Sequence, residues 1–367
     1  MKHIVFAHRK LSFGGGERVL MEQVAALAGL PIKISVLFRK EPGKRDIEKE
    51  LRERNPQVTE VLHVPGTLGV FRWLWRTRPD LVVLCNHKGA QRALPWLARL
   101  GLRMPLVVTL HEHYARHLRH YTGIKHLVDR WLCTYNFTAT VREQLSQAPC
   151  SIIHPLYPRP ETMAATPADR QAARKHLGLP ETGLVVGYVG QMDLRKDPLS
   201  VVRLAEALGP VHLLFAGREE TATTAALDAY LAHSPLRDRT VRLGPQQDLG
   251  TAFSALDLYV LTSRNEGFFP LALIEAMERG VPVLAPTVGG IGTVLQDGEG
   301  GFLIQKPDDR RSIPEALLKA AAERLGPLLA DTPGWEAQRH QAHAFATALT
   351  RDYDAAQKFR EALAPWL

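Results

Sequence analysis

Apolar runs of strand length alternate with helical stretches along the whole chain. In the first half the runs are HIVFAH, IKISVLF, DLVVLCN, PLVVTLHEH and CSIIH; in the second they are LVVGYVG, VHLLFAG, TVRLG, LDLYVLTS and VPVLAP. Between them the pattern predicts helices over Glu17–Ala28, Gln91–Leu100, Leu199–Leu208 and Ser312–Arg324. The runs are apolar throughout, not alternating, so both faces of each strand are buried. That is the mark of parallel sheets covered by helices. The pattern lapses over HPLYPRPETMAATP, residues 154–167, and then resumes. A Pro- and Thr-rich lapse between periodic stretches marks a domain junction. The expected architecture is α/β, with two doubly wound, Rossmann-like domains over residues 1–165 and 166–345. The tail from Gly334 to Leu367 reads as one or two helices with no following strand.

Charge separates the two halves. Residues 1–150 hold 24 Lys+Arg against 12 Asp+Glu, a balance of +12, and the remainder holds 22 against 26, or −4. A basic first half suits phosphates, nucleic acid or an anionic membrane surface, and equally plain solubility. The aromatic platforms and motifs of a nucleic-acid binder are missing, so that reading ranks last. The segment GVFRWLWRTRP mixes Trp73 and Trp75 with Arg72, Arg76 and Arg78, the composition of an interfacial segment. Apolar content of 45% and three cysteines, Cys85, Cys133 and Cys150, fit a globular protein with free thiols in a reducing compartment. The opening MKHIVFAHRK has too short an apolar part for a signal peptide. The expected location is cytoplasmic, with peripheral docking on the inner face of the membrane.

In doubly wound sheets ligands bind outside the carboxyl ends of the strands, and the polar and glycine signals fall there. Gly14, Gly15 and Gly16 lie between a strand and a helix. They suit close approach of backbone to an anion at a helix N-terminus, and equally a plain tight turn. In VGYVGQMDLRKDP, Arg195 and Lys196 follow a strand end. A lysine there reaches a phosphate as a mobile charge, although a solvated loop lysine is commoner. In SRNEGFFPLALIEAMERGVPVLA, Pro270 fits the first position of a helix running to about Arg279. Glu275 then lies inside that helix and Glu266 in the loop before it. Two acceptor-only carboxylates at a cleft read the hydroxyls of a sugar or ribose. His111 ends a strand, and His113, His117 and His120 share a face if helix follows. No cysteine or carboxylate completes an obvious zinc set, so a phosphate-facing role for His111 is favoured. The D-x-D at Asp352–Asp354 falls in the helical tail and reads as a solvated helix face.

The ordered set resembles the retaining glycosyltransferases of family 4, with the two-domain GT-B fold and a central cleft. SFGGGERVL is similar to the family's S-G-G-A-E-R-V-L, TLHEH to T-x-H-D, and VGQMDLRKDP to V-G-R-L-x-x-x-K-G. EGFFPLALIEAMERGVPVLA is similar to E-G-F-G-x-x-x-x-E-A-M-A-x-G-x-P-V-V-A, and VGGIGTVLQDGEGGFLI to V-G-G-I-P-E-V-V-x-D-G-x-x-G-x-L-V. The resemblance implies transfer of a hexosyl group, with retention, from a UDP- or GDP-linked sugar to a glycan or lipid-linked hydroxyl, as in lipopolysaccharide or polysaccharide assembly. The nucleotide sugar is the substrate; no metal and no cofactor are implied. Glu275 would hold the ribose, Glu266 the transferred sugar, and Lys196 the diphosphate. Gly14 and Gly15 would admit phosphate or acceptor, and His111 would stand near the reacting face. Gly289 and Gly290 would wall the nucleotide pocket, with Phe269, Pro270 and Leu271 at the helix start. The tail, 346–367, would cross back onto the first domain. Three departures stand out. Gln191 replaces the family's arginine, leaving Arg195 to compensate. Eight residues separate Glu266 from Glu275 where the family has seven. Thr293 lacks the family's carboxylate. A weakly active nucleotide-sugar binder and a GT-B nucleotide-sugar epimerase are the alternatives these departures leave.

Overall fold

The computed structural model describes residues 1–10, 15–39, 47–64, 66–85, 87–110, 121–133, 146–154, 163–246, 248–266, 269–351 and 353–367. The chain divides into two compact units, Met1–Pro158 with Tyr353–Leu367, and Arg159–Asp352.

The first unit is built on a sheet of seven parallel strands in the order β3-β2-β1-β4-β5-β6-β7. The strands are β1 (Lys2–Lys10), β2 (Ile32–Arg39), β3 (Val58–His63), β4 (Leu81–Cys85), β5 (Leu106–Leu110), β6 (Arg130–Cys133) and β7 (Cys150–Ile152). Both faces of the sheet are covered, as continuous apolar strands require. Ile4 and Phe6 of β1 belong to one core, Val5 and Ala7 to another on the opposite face. The tail helix Ala355–Leu363 closes the first of these, with the Phe359 ring 6.4 Å from that of Phe6. A buried Phe contributes about 1.5–3 kcal/mol, so this helix is an integral layer of the first unit. Tyr353 fixes the approach to it: its hydroxyl accepts from the His154 N–H at 2.8 Å. Asp354 caps the helix through the Gln357 N–H at 2.7 Å. The described part of the D-x-D is therefore a helix junction, not a solvated helix face; Asp352 lies outside the described residues.

The second unit carries six parallel strands in the order β10-β9-β8-β11-β12-β13. These are β8 (Val185–Val189), β9 (His212–Ala216), β10 (Thr240–Arg242), β11 (Leu258–Val260), β12 (Val283–Pro286) and β13 (Gly301–Ile304). In each sheet the chain winds outward on one side of the first strand and then on the other. The reversal falls between β1 and β4 in one unit and between β8 and β11 in the other. The loops leaving those strands are where a doubly wound fold offers its crevice.

All ten expected strands are present, with β3, β6 and β13 in addition. The expected helices are found at Gly15–Ala25, Lys88–Arg99, Pro198–Leu208 and Glu315–Ala330. Cys133 is buried, Cys85 and Cys150 are half-buried, and all three are free thiols. Among the described residues no helix is long and apolar enough to cross a membrane.

Candidate active site

In the second unit the loops after β8 and β11 are tied together at the switch point. The first loop is shaped by two aspartates. The Asp193 carboxylate accepts from the Lys196 backbone N–H at 2.8 Å. Asp197 sits in the left-handed region at φ 53°, ψ 57°, and immediately precedes the helix Pro198–Leu208. Its buried carboxylate accepts from the Ser200 hydroxyl at 2.9 Å and from Arg264 at 3.4 Å. A left-handed aspartate costs on the order of 1–3 kcal/mol and persists only where its surroundings over-determine it. Here Thr262, just past β11, supplies the restraint by donating its hydroxyl to the Asp197 carbonyl at 2.8 Å. The Arg264 N–H adds a bond to the Arg195 carbonyl at 2.8 Å.

These restraints bring Arg195 and Lys196 against Glu266. The Lys196 ammonium is hydrogen-bonded to Glu266 Oε1, and Arg195 Nη1 lies 3.3 Å from Oε2. Glu266 is only 7% exposed. Burial pushes its carboxyl up, but Lys196 and Arg195 outweigh it and hold the group below its ordinary value. For Lys196, burial wins over the carboxylate's attraction, and the ammonium titrates below its usual range. Each charge is thus held in a buried place by the other, with Arg195 as a second cation on the same carboxylate.

Glu275 lies in the helix Leu271–Glu278, with Pro270 as the residue before its first turn. Proline thus occupies the cap, not the first helical position. Phe269 is buried core, and Gly267 and Phe268 fall outside the described residues. Glu266 and Glu275 both raise the phenol of buried Tyr259, whose burial is the larger cause. Tyr259 in turn donates to the Val189 carbonyl at the end of β8, at 3.1 Å. Both carboxylates thus lie within electrostatic reach of one buried ring on β11.

Two glycines admit this closeness. A Cβ on Gly289, at φ 59°, would lie 2.3 Å from the Glu266 carbonyl oxygen. A Cβ on Gly217 would lie 1.8 Å from the Gly190 carbonyl oxygen. The Gly289 N–H donates to Asp308 at 3.2 Å, and Gly290 is buried beside it. Gln191 is exposed, and Arg218, just past β9, donates to its Oε1 at 2.8 Å. Sequence reasoning missed Arg218, Asp193 and Asp197. The aspartates flanking the Arg-Lys pair in DLRKDP were the available signal; a lone arginine past a strand end gave none. Arg195 also lies 4.0 Å from Asp193, while Arg218 meets Gln191 at the neighbouring strand end. His111 and Gly14, like His113, His117 and His120, lie outside the described residues. Gly15 opens the helix Gly15–Ala25 of the first unit. Leu271 opens the helix that carries Glu275.

Two family models match the chain: "Glycosyltransferase Family 4" over residues 13–155 and "Glycosyl transferases group 1" over 183–323. The chain belongs to the family 4, group 1 glycosyltransferases. It is 31% identical over 264 residues to the D-inositol 3-phosphate glycosyltransferase of Mycobacterium sp. (strain KMS), covering 66% of this chain and 60% of that one. The corresponding Mycobacterium leprae (strain TN) protein is 30% identical over 242 residues, 60% of this chain and 56% of that one. The chain thus spans about 60% of the length of the curated relatives it matches. Among solved structures, Anabaena Alr3699/HepE in complex with UDP and glucose superposes with a TM-score of 0.79 at 19% identity, over 98% of both chains. WaaG, a glycosyltransferase involved in lipopolysaccharide biosynthesis, gives 0.72 at 18% identity, over 95% of this chain and 98% of that one. Their agreement with both units identifies the fold as GT-B.

The buried pair makes a stability prediction. Glu266→Gln leaves the Lys196 ammonium buried without its main counter-ion and is expected to cost about 3–5 kcal/mol. The double variant Lys196→Met/Glu266→Gln should recover most of that loss in urea unfolding. Because the Glu266 carboxyl titrates below its ordinary 4.5, its stabilisation is complete above that pH and is lost as pH falls through the folded value. The wild-type urea midpoint should therefore fall more steeply below pH 4.5 than that of Glu266→Gln. Equal slopes, or a Glu266→Gln variant of wild-type stability, would contradict the pair.

Proposed function

We propose that the protein is a retaining, metal-independent glycosyltransferase that moves a hexosyl group from a UDP- or GDP-linked sugar to a hydroxyl of a glycan or lipid-linked acceptor. One observation carries the reading: Lys196 and Arg195 from one switch-point loop meet buried Glu266 from the other. A donor diphosphate is a further negative partner within reach of this cation pair. In this reading Lys196, Arg195 and Arg218 take the charge that builds on the departing diphosphate, and Glu266 turns to the hydroxyls of the hexose. Arg218 supplies a guanidinium at the position where Gln191 has removed one. Glu275 holds the ribose. The anomeric carbon–oxygen bond to phosphate breaks, the acceptor oxygen bonds the same face, and its proton passes to the departing phosphate oxygen. His111, Gly14 and Gly15 belong to the same proposal on the acceptor side. The nucleotide complex of Alr3699/HepE supports a UDP-linked donor, and WaaG supports a lipopolysaccharide-type acceptor.

Donor affinity is expected to depend on Lys196 and Glu275 and to be independent of metal. Calorimetry with UDP-glucose and GDP-mannose in EDTA should show binding by the wild type. Lys196→Ala and Glu275→Ala should each weaken it by about 1.5–3 kcal/mol. Unchanged affinity in the folded variants would remove these residues from the donor site. Binding that requires added Mg²⁺ or Mn²⁺ would remove the metal-independent mechanism.

The same reading places a lipid-carried acceptor at an anionic membrane surface. Between Gly66 and Leu110 there are seven Lys+Arg and one acidic residue, Asp80. The helices Gly66–Thr77 and Lys88–Arg99 of this segment pack on one another and leave Leu68, Trp75, Trp96 and Leu100 exposed at 61, 37, 59 and 59%. Arg78 lies over the Trp75 ring and Arg99 over that of Trp96, at 5.9 and 5.3 Å. Trp73 instead is half-buried, packed against the core and edge-on to His3. Each basic residue near an anionic leaflet contributes about 1 kcal/mol, so co-sedimentation with anionic vesicles should be strong at low salt and fall at high salt. Trp96→Ala/Trp75→Ala should weaken it. Equal, negligible binding to anionic and neutral vesicles would favour a soluble acceptor.

A further inference from the structure

We propose that Cys133 and Cys150 form an oxidation site, at which a peroxide oxidises Cys150 and Cys133 then closes a disulfide with it. Cys133 ends β6 and Cys150 opens β7, neighbouring parallel strands of the first unit. Cys133 stands opposite Ile152 and Cys150 opposite Trp131, so the two cysteines are diagonal neighbours. Alternation along the strands puts both thiols on one face of the sheet, against the core that holds Trp131. There the two sulfurs lie 3.2 Å apart. Their access differs. Cys133 is fully buried, whereas Cys150 is half-buried at the start of the last strand in the sheet order. Cys85 does not compete, because it ends β4 and β5 stands between it and β6. Two strand spacings amount to about 10 Å, beyond the reach of a disulfide.

The difference in access assigns the steps. An oxidant from solvent meets Cys150 first. Its thiolate attacks one peroxide oxygen: an S–O bond forms, the O–O bond breaks, and the departing hydroxide takes up the thiol's proton to give water. The sulfur is oxidised to a sulfenic acid and the peroxide is reduced. Cys133 then attacks that sulfur. The S–S bond forms, the S–O bond breaks, and the second thiol proton leaves with the hydroxyl as another water. Two thiols and one peroxide thus become one disulfide and two waters, and a thiol reductant reverses the change by exchange. Where thiols are kept reduced, such a disulfide is transient and redox-sensing. Closure also moves backbone, since the sulfurs must come from 3.2 Å to about 2 Å across a diagonal register. The strand that yields is β7, three residues long and last in the sheet. Its Ile152 carbonyl accepts from the Tyr353 hydroxyl at 3.4 Å, and the following His154 N–H donates to the same hydroxyl at 2.8 Å. Oxidation therefore loosens the brace at the start of the tail helix Ala355–Leu363.

The full-length protein, reduced and then treated with hydrogen peroxide, tests the site by mass spectrometry after alkylation in urea and digestion. The expected result is a peptide pair linking Cys133 to Cys150, lost on adding dithiothreitol, with Cys85 alkylated throughout. In Cys133→Ser the sulfenic acid should persist on Cys150 and be trapped by dimedone. In Cys150→Ser, Cys133 should remain an alkylatable thiol. Cys85→Ser should form the link as the wild type does. Amide hydrogen exchange across Tyr353–Leu367 should quicken several-fold in the disulfide form and return to its starting rate on reduction. No linked pair, a link that includes Cys85, or dimedone on Cys133 in Cys150→Ser would overturn the site. Unchanged or slower exchange in the tail would overturn its coupling to the brace.

Discussion

The second unit is organised around one buried ion pair. Lys196 and Glu266 come from loops at the ends of β8 and β11, strands that are neighbours in the sheet but far apart in sequence. Neither charge would be tolerated in so dry a place alone. The left-handed Asp197, the Thr262 hydroxyl on its carbonyl and the Arg264 backbone contact to Arg195 all hold the loops where the pair can form. Gly289 belongs to the same constraint, because any side chain there would strike the backbone of Glu266. A buried, preorganised cation held by a carboxylate that can exchange partners is what electrostatic stabilisation of a departing anion needs.

The first unit meets the same topology with a different chemistry. Past β4 the helix Lys88–Arg99 opens with Lys88 and Arg92 exposed to solvent. The charge division along the chain thus has a local counterpart. The acidic half sets Lys196 and Arg195 on one buried carboxylate. The basic half spreads them over two helices whose exposed tryptophans lie under arginines.

Much of this was legible in the sequence, and the exceptions have physical reasons. Strands buried on both faces, such as LVVLC and VVGYV, announce themselves as apolar runs. Strand β3, VTEVLH, does not, because it is an edge strand whose Glu60 faces Lys33 and Ser35 instead of a core. Strand β6 opens on Arg130 and β13 on Gly301 after a Gly-rich turn, so neither stands out as an apolar run. At the site, Lys196, Glu266 and Glu275 could be named from spacing and motif. Their mutual neutralisation could not, since a pairing across two loops is a tertiary fact. Arg218 was invisible for the same reason: only the sheet order β9-β8 brings it to Gln191. Trp73 and Trp75, indistinguishable in the sequence, are separated by helical geometry into a half-buried ring against the core and an exposed one.

On the proposed function, Lys196 and Arg195 seat the donor diphosphate. A crystal structure of the protein with UDP-glucose in EDTA tests it most directly. The account predicts Lys196 and Arg195 on diphosphate oxygens, Arg218 beside them, and the Glu266 carboxylate drawn to the hexose hydroxyls. A nucleotide sugar bound elsewhere, with the Lys196–Glu266 pair closed and untouched, would contradict it.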